Sequence, residues 1–330
     1  MVNILPIASG KGGVGKSSIA VNLAILLAQK GKRVVLIDFD LGGANLHTLL
    51  GLKNNHAGLG NFIYKQESSL VPLLQETGVP NLQFIAGDCL FPGTANMSFF
   101  IKRKIIKEIE SLDADYAILD LGAGTTYNTL DIYLLTYNSI LVTTAELTSI
   151  LNAYSFLKAA SYRFFTRQFK AKSQEKAMID DYINNSVAGA ESSFVGLVDK
   201  IIEFFPETGT KAKNELIKYR PQVILNSGKS TQDLEMARRL RSLVLNKLNI
   251  NLDFVGFTPK EEQIELSVAR RTPLALLNPA SPFITHLNNA VDRILLHSYE
   301  FNSSLEDVEF FNPTDDDINL LNDEFVNSGV

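Results

Sequence analysis

At 330 residues, 45% of them apolar, the chain has material for one large α/β domain with an insertion or for two smaller domains. No apolar run approaches the length of a membrane span, the N-terminus enters a strand without a secretion leader, and a single cysteine (Cys89) with four scattered histidines excludes a disulfide framework and zinc spacing, so a reducing, cytoplasmic setting is expected. The net charge of −5 divides into a mildly basic body and an acidic end that holds nine carboxylates and no Lys or Arg from Glu300 onward, a bias too weak to imply nucleic-acid binding.

Asn3 to Ala8 reads as a short apolar strand, in which Pro6 would remove a ladder donor and predicts a local irregularity. The strand leads into Ser9-Gly10-Lys11-Gly12-Gly13-Val14-Gly15-Lys16-Ser17-Ser18, which matches the phosphate-wrapping pattern G-x-x-x-x-G-K-[ST]. Glycines let successive N–H groups turn inward toward an anion, Lys16 supplies a point charge for the β- and γ-phosphates, and the Ser17 hydroxyl is a ligand for Mg²⁺. Ile19, Leu23, Leu26 and Leu27 then recur at helical spacing up to Gly31, a C-terminal cap, so the loop opens onto the positive end of a helix.

Lys11, directly after the first glycine, is the informative departure. The run K-G-G-x-G-K-[ST] resembles the deviant Walker motif of the MinD/ParA ATPase family. That resemblance implies an ATP-dependent sandwich dimer in which the extra lysine reaches the nucleotide of the partner subunit. An exposed loop lysine is the plain alternative.

Arg33 to Asp40 is a near-continuously apolar strand that ends in two carboxylates, Asp38 and Asp40, at the edge where parallel sheets place ligands. With Leu41 to Leu46 it matches the family's D-x-D-x-x-x-x-N-L segment. The resemblance assigns Asp40 to the attacking water, Asp38 to the outer shell of magnesium and Asn45 to the first switch; loop-capping carboxylates are the alternative. Phe99 to Leu112 reads as an amphipathic helix with a solvated lysine face.

Tyr116 to Asp120 is a buried strand closing in an acid, the Walker B arrangement, so Asp120 is expected to hold Mg²⁺ through water. The following Leu121-Gly122-Ala123-Gly124 resembles the second switch of the flagellar-number branch, FlhG (also called FleN). The strand from Ser139 to Thr144 runs into Ala145 to Tyr154, which resembles the E-P-T-S-x-x-D-A-Y stretch of that branch with Leu147 and Asn152 as departures. The resemblance places Glu146 on the ribose across the dimer; a helix N-terminal acid is the competing reading.

Residues from about 165 to 220 read as an inserted helical subdomain whose first part, Arg163 to Lys176, is basic: a solvated helix or an anionic docking surface. Gln222 to Asn226 returns to the sheet, and the resemblance gives Asn226 the adenine edge. Ser230 to Leu248 is a helix with Arg238, Arg239 and Arg241 exposed. Gly256-Phe257-Thr258-Pro259 resembles the G-x-[IV]-P strand end that packs Pro259 beside the base.

The basic membrane helix that usually ends MinD and FlhG chains is replaced by an acidic stretch, read as a disordered tail over 300–330 after an ATPase domain over 1–299. The expected fold is a doubly wound, mostly parallel α/β sheet of about seven strands, a P-loop NTPase of the SIMIBI type. The expected function is a slow, Mg²⁺-dependent, ATP-switched homodimer that places or counts a cellular structure with a protein partner, in the cytoplasm or peripheral to the inner face of the membrane. Two alternatives stay open: a partition ATPase binding DNA nonspecifically, and a nucleotide-binding regulator without catalysis. The lone cysteine argues against iron–sulfur relatives, and the absence of tyrosine after Tyr299 argues against a bacterial tyrosine kinase.

Overall fold

A computed structural model describes residues 2–41, 43–53, 57–87, 97–187, 193–303 and 314–329. Cys89 lies outside the described residues. The strands are β1 (Asn3–Ala8), β2 (Val34–Phe39), β3 (Gln75–Glu76), β4 (Leu82–Ile85), β5 (Tyr116–Leu121), β6 (Ile140–Thr144), β7 (Gln222–Gly228) and β8 (Asp253–Pro259). The helices of the first half are α1 (Lys16–Gln29), α2 (Leu46–Leu49), α3 (Leu59–Ile63), α4 (Phe99–Glu110), α5 (Tyr127–Tyr133) and α6 (Leu147–Arg167). Those of the second half are α7 (Gln174–Val187), α8 (Phe194–Phe204), α9 (Pro206–Lys218), α10 (Leu234–Leu248), α11 (Gln263–Ala269), α12 (Leu274–Leu277), α13 (Pro282–Ser303) and α14 (Asp316–Asn327).

The strands form one sheet in the order β3-β4-β2-β5-β1-β6-β7-β8, parallel throughout except at β3. The eighth strand beyond the expected seven is this antiparallel β3, whose two residues carry no readable period. One face is covered by α1, α12 and α13, and the other by α4, α5, α6, α10 and α14, each through its own apolar core. β1 lies at the centre because its residues are buried on both faces, as a crossover topology demands. Pro6 does not interrupt it: the register with β5 runs unbroken from Asn3 to Ile7, and pairing with β6 begins at Ile7, one residue past the proline. Gly31 caps α1 at φ +79°, as its position predicted.

The basic stretch that begins near the end of α6 is not a free surface at its start. Arg163 Nε donates to Asp131 Oδ1 at 2.8 Å and Lys102 pairs with the other oxygen, tying α6 and α4 to α5. Burial pushes the Asp131 carboxyl up, but these cations outweigh it and hold it below the ordinary range. Helices α7, α8 and α9 fill the stretch between β6 and β7 where the insertion was expected.

The acidic end departs from expectation. Residues 316–327 are a packed helix, with Ile318, Leu321 and Phe325 buried against β8 and α10. Phe325 stacks on Phe257 with ring centroids 4.7 Å apart. Arg241, expected at the surface, is 5% exposed; it donates to Asp315 at 2.9 Å and to the Leu252 carbonyl at 3.2 Å, and also pairs with Asp317. Arg293 Nη1 donates to Glu324 Oε1 at 2.6 Å. Three of the acids that suggested a solvated tail, Asp315, Asp317 and Glu324, are the partners of arginines on α10 and α13, a match that no local reading reveals.

Candidate functional site

The site lies at the carboxyl ends of β1, β2 and β5, where the loop after β1 meets the start of α1. Gly13 and Gly15 have φ of +80° and +86°, a region that side chains with a Cβ disfavour. Gly10 is required for a different reason: a Cβ there would overlap the backbone carbonyl of Asn152 on α6. Around Gly12 and Gly13 nothing approaches a Cβ position, so the loop is open above its N–H groups. Val14 is buried and anchors the loop in the apolar core beside α1.

Lys16 is 8% exposed and its ammonium pairs with Asp120, while the Ser17 hydroxyl donates to the other Asp120 oxygen at 2.7 Å. Asp120 stands opposite Asp38 in the register of β5 with β2, and both carboxylates are 1% exposed. Asp38 accepts from the backbone N–H groups of Asp40 and Leu46, each at 3.1 Å. Burial, reinforced by the charge of Asp120, still pushes the Asp38 carboxyl up to about 7. Burial likewise pushes Asp120 up, against the opposing pull of Lys16 and Ser17. Two buried carboxylates beside one ammonium form an oxygen-rich, electrostatically stressed cluster of the kind that a hard cation relieves.

Asp40 leaves the strand end and lines a pocket of about 210 Å³ together with Phe39, Met97, Gly122, Thr126 and Ile132. A Cβ on Gly122 would come within 3.1 Å of its Oδ1, so the glycine lets the loop after β5 lie against this carboxylate. Ser18 sits in the first turn of α1, its carbonyl accepting from Asn22 at 2.8 Å. Lys11 Nζ is 3.6 Å from Glu146 Oε2 and 3.4 Å from the Thr148 hydroxyl. Glu146 is the N-cap residue of α6, but its side chain makes no capping bond.

Asn226 ends up beneath the loop: its Nδ2 donates to the Val14 carbonyl at 2.8 Å, and its Oδ1 accepts from the Thr258 hydroxyl at 2.7 Å. Pro259 follows at the buried end of β8, paired with Gly228. Asn45 is not drawn into this cluster; it is exposed at the start of α2, where its amide donates to the Gly43 carbonyl at 2.8 Å. Sequence reasoning missed Thr258 and Asn22. Asn22 Oδ1 accepts from the Ala275 N–H at 2.8 Å and so ties the phosphate-loop helix to α12. An asparagine within an apolar helical face, where a buried amide must find partners, was the available signal for it.

Comparison with known proteins agrees with this geometry. Residues 1–162 match a family model described as ParA, NUBPL iron-transfer P-loop NTPase. The septum site-determining protein MinD of Helicobacter pylori is 37% identical over 127 residues, covering 38% of this chain and 46% of that protein. The flagellum site-determining protein YlxH of the same organism is 29% identical over 214 residues, covering 59% of this chain and 69% of that one. The match thus spans less than half of the MinD relative. Among solved structures, the septum site-determining protein MinD of Pyrococcus horikoshii OT3, complexed with Mg-ADP, has a TM-score of 0.57 at 18% identity over 89% of this chain and 96% of that chain, a likeness of fold. With its lysine-bearing glycine loop, its facing strand-end carboxylates and these relatives, residues 1–162 are similar to the ParA/MinD family of P-loop NTPases.

Proposed function

We propose that this chain is a slow, nucleotide-switched ATPase, nearest to the FlhG branch, that dimerises around ATP and controls where or how many copies of a cellular structure form. The observation that carries the proposal is the convergence of Lys16, Ser17 and Asp120 below an open glycine loop, with Asp38 in register beside Asp120. The donors fit Mg²⁺: a serine hydroxyl and two carboxylates, all hard oxygens, at the mouth of a loop able to take phosphates. Bound there by Ser17 and Asp120, with Asp38 behind, the ion would neutralise phosphate charge. The backbone N–H groups of Gly12 to Lys16 cradle the phosphates, and Lys16, released from Asp120, supplies the adjacent positive charge. Asp40, at the mouth of its pocket, orients the attacking water. Lys11 and Glu146 exchange their mutual contact for the partner's nucleotide, and Asn226 and Pro259 flank the base. Asn45 reaches the site through movement of the loop that carries it.

The site-determining relatives favour spatial control over DNA partition, and the pairing of Arg163 with Asp131 removes part of the basic surface that a DNA reading would use. No helix among the described residues is long and apolar enough to cross a membrane. We take residues 1–303 with the docked α14 as one ATPase unit. The test is phosphate release from Mg-ATP by the purified chain, with Lys16→Ala as control. Slow release that Lys16→Ala abolishes supports the reading; equal release by both proteins, or none at saturating ATP while nucleotide binds, contradicts it.

A further inference from the structure

Thr258 occupies the place where the family's strand-end pattern has an aliphatic residue, between Phe257 and Pro259. Its side chain is completely buried, and the hydroxyl donates to Asn226 Oδ1 at 2.7 Å. The Val14 carbonyl accepts but cannot donate, so it takes the Nδ2 end of the same amide, at 2.8 Å. The two bonds together hold the amide plane: the loop selects which end faces it, and Thr258 secures the other end.

The backbone is shaped for this meeting. β7 and β8 run in register at Leu225 and Phe257, but the next pair is Gly228 with Pro259, and within that shift Ser227 adopts φ +59°. On the loop side Gly15 has no Cβ, and one built there would overlap the Asn226 amide nitrogen. Three departures from ordinary strand and loop geometry therefore coincide at one side chain.

With these bonds made, Asn226 retains one N–H and one lone pair, a donor and an acceptor. That pair complements the adenine edge, which offers an N7 acceptor beside an N6 donor; guanine offers two acceptors there, one of which would oppose the amide oxygen. A valine or isoleucine at position 258 would leave the amide oxygen without its buried donor and free to swing away from the base.

We propose that Thr258 is a positioning residue for nucleotide selectivity: it holds the Asn226 amide so that its remaining donor and acceptor meet adenine and reject guanine, and it couples that choice to the phosphate loop through Val14. The inference rests on the nucleotide-binding reading above and deepens it.

Calorimetric titration of the full chain with Mg-ADP and with Mg-GDP provides the test, on the parent protein, Thr258→Val and Thr258→Ser. The parent is expected to prefer ADP. Thr258→Val should lose roughly tenfold of the ADP-to-GDP ratio, chiefly through weaker ADP binding, and Thr258→Ser should restore it. Should the valine variant fail to fold, Thr258→Ala removes the same hydroxyl and carries the same expectation. A parent without preference, or a hydroxyl-free variant whose ratio is unchanged, overturns the inference, because a merely structural role weakens both nucleotides alike. A parent that binds neither nucleotide defeats the ATPase reading itself and this inference with it.

Discussion

Lys11 Nζ lies 3.6 Å from Glu146 Oε2 within one subunit, so the two residues proposed to reach across a dimer are partners of each other in the single chain. Both side chains are substantially exposed, at 42% and 66%, and such a pair contributes at most about 0.5 kcal/mol to the fold. Glu146→Gln should therefore leave the thermal midpoint nearly unchanged. Its effect is expected in the ATP-dependent dimer, whose dissociation constant should rise roughly tenfold if the glutamate contacts the partner's nucleotide. Analytical ultracentrifugation with ATP, set beside a melting curve, separates the two effects.

Gly10→Ala tests the packing of the loop on α6. The added methyl group meets the Asn152 carbonyl, which is backbone and cannot rotate aside. A loss of about 1–3 kcal/mol in stability is expected from overpacking, together with weakened Mg-ADP binding as the loop is displaced. Gly12→Ala, where a Cβ meets nothing, should cost far less stability. Denaturant unfolding of both variants gives the comparison.

The docked acidic helix makes its own prediction. Phe325 is 2% exposed against Phe257, so Phe325→Ala should destabilise the packing of α14 by about 3–5 kcal/mol. The amides of residues 316–327 should then exchange with deuterium far faster, while those of β1 and β5 remain protected. Equal protection of α14 in both proteins would show that the helix is held by its ion pairs alone.

His286, buried on α13 with its ring 5.7 Å from Phe325, has its pKa lowered by burial; Glu324 pulls it back up and Arg293 pushes it further down. A histidine kept neutral in the fold contributes stability that is fully present above its unfolded pKa, near 6.5, and is lost as pH falls through that value toward the folded one. The destabilisation from His286 on acidification from about pH 7 to pH 5 is opposed over the same range by the buried Asp38, whose raised carboxyl adds stability as it protonates, so the histidine is read as a difference: the thermal midpoint of His286→Phe should gain on that of the parent chain as pH falls through this range. Differential scanning calorimetry across the range measures it.

The phosphate loop, its strand and its helix were legible because glycines, lysine and hydrophobic spacing act locally. The carboxylates at Asp38, Asp40 and Asp120 were legible for a similar reason: each closes a run of apolar residues, and a parallel sheet brings such strand ends together. What escaped was long-range. Arg241 looked like a solvent-facing helical arginine until Asp315 and Asp317 came to meet it from more than 70 residues away. The tail looked disordered because its acids could not be matched to those arginines in sequence. Thr258 passed without notice inside the strand-end motif, because its meaning depends on a register shift between β7 and β8 that no spacing discloses.

The central claim, a switch that dimerises around ATP, is tested most directly by the solution mass of the Asp40→Ala chain in Mg-ATP and in Mg-ADP, measured by light scattering on a sizing column. Twice the monomer mass of 36.4 kDa is expected in ATP and the monomer in ADP, because the role proposed for Asp40 in orienting water predicts that its removal traps the state before hydrolysis. A mass that is the same in both nucleotides, at concentrations where each is bound, would contradict it.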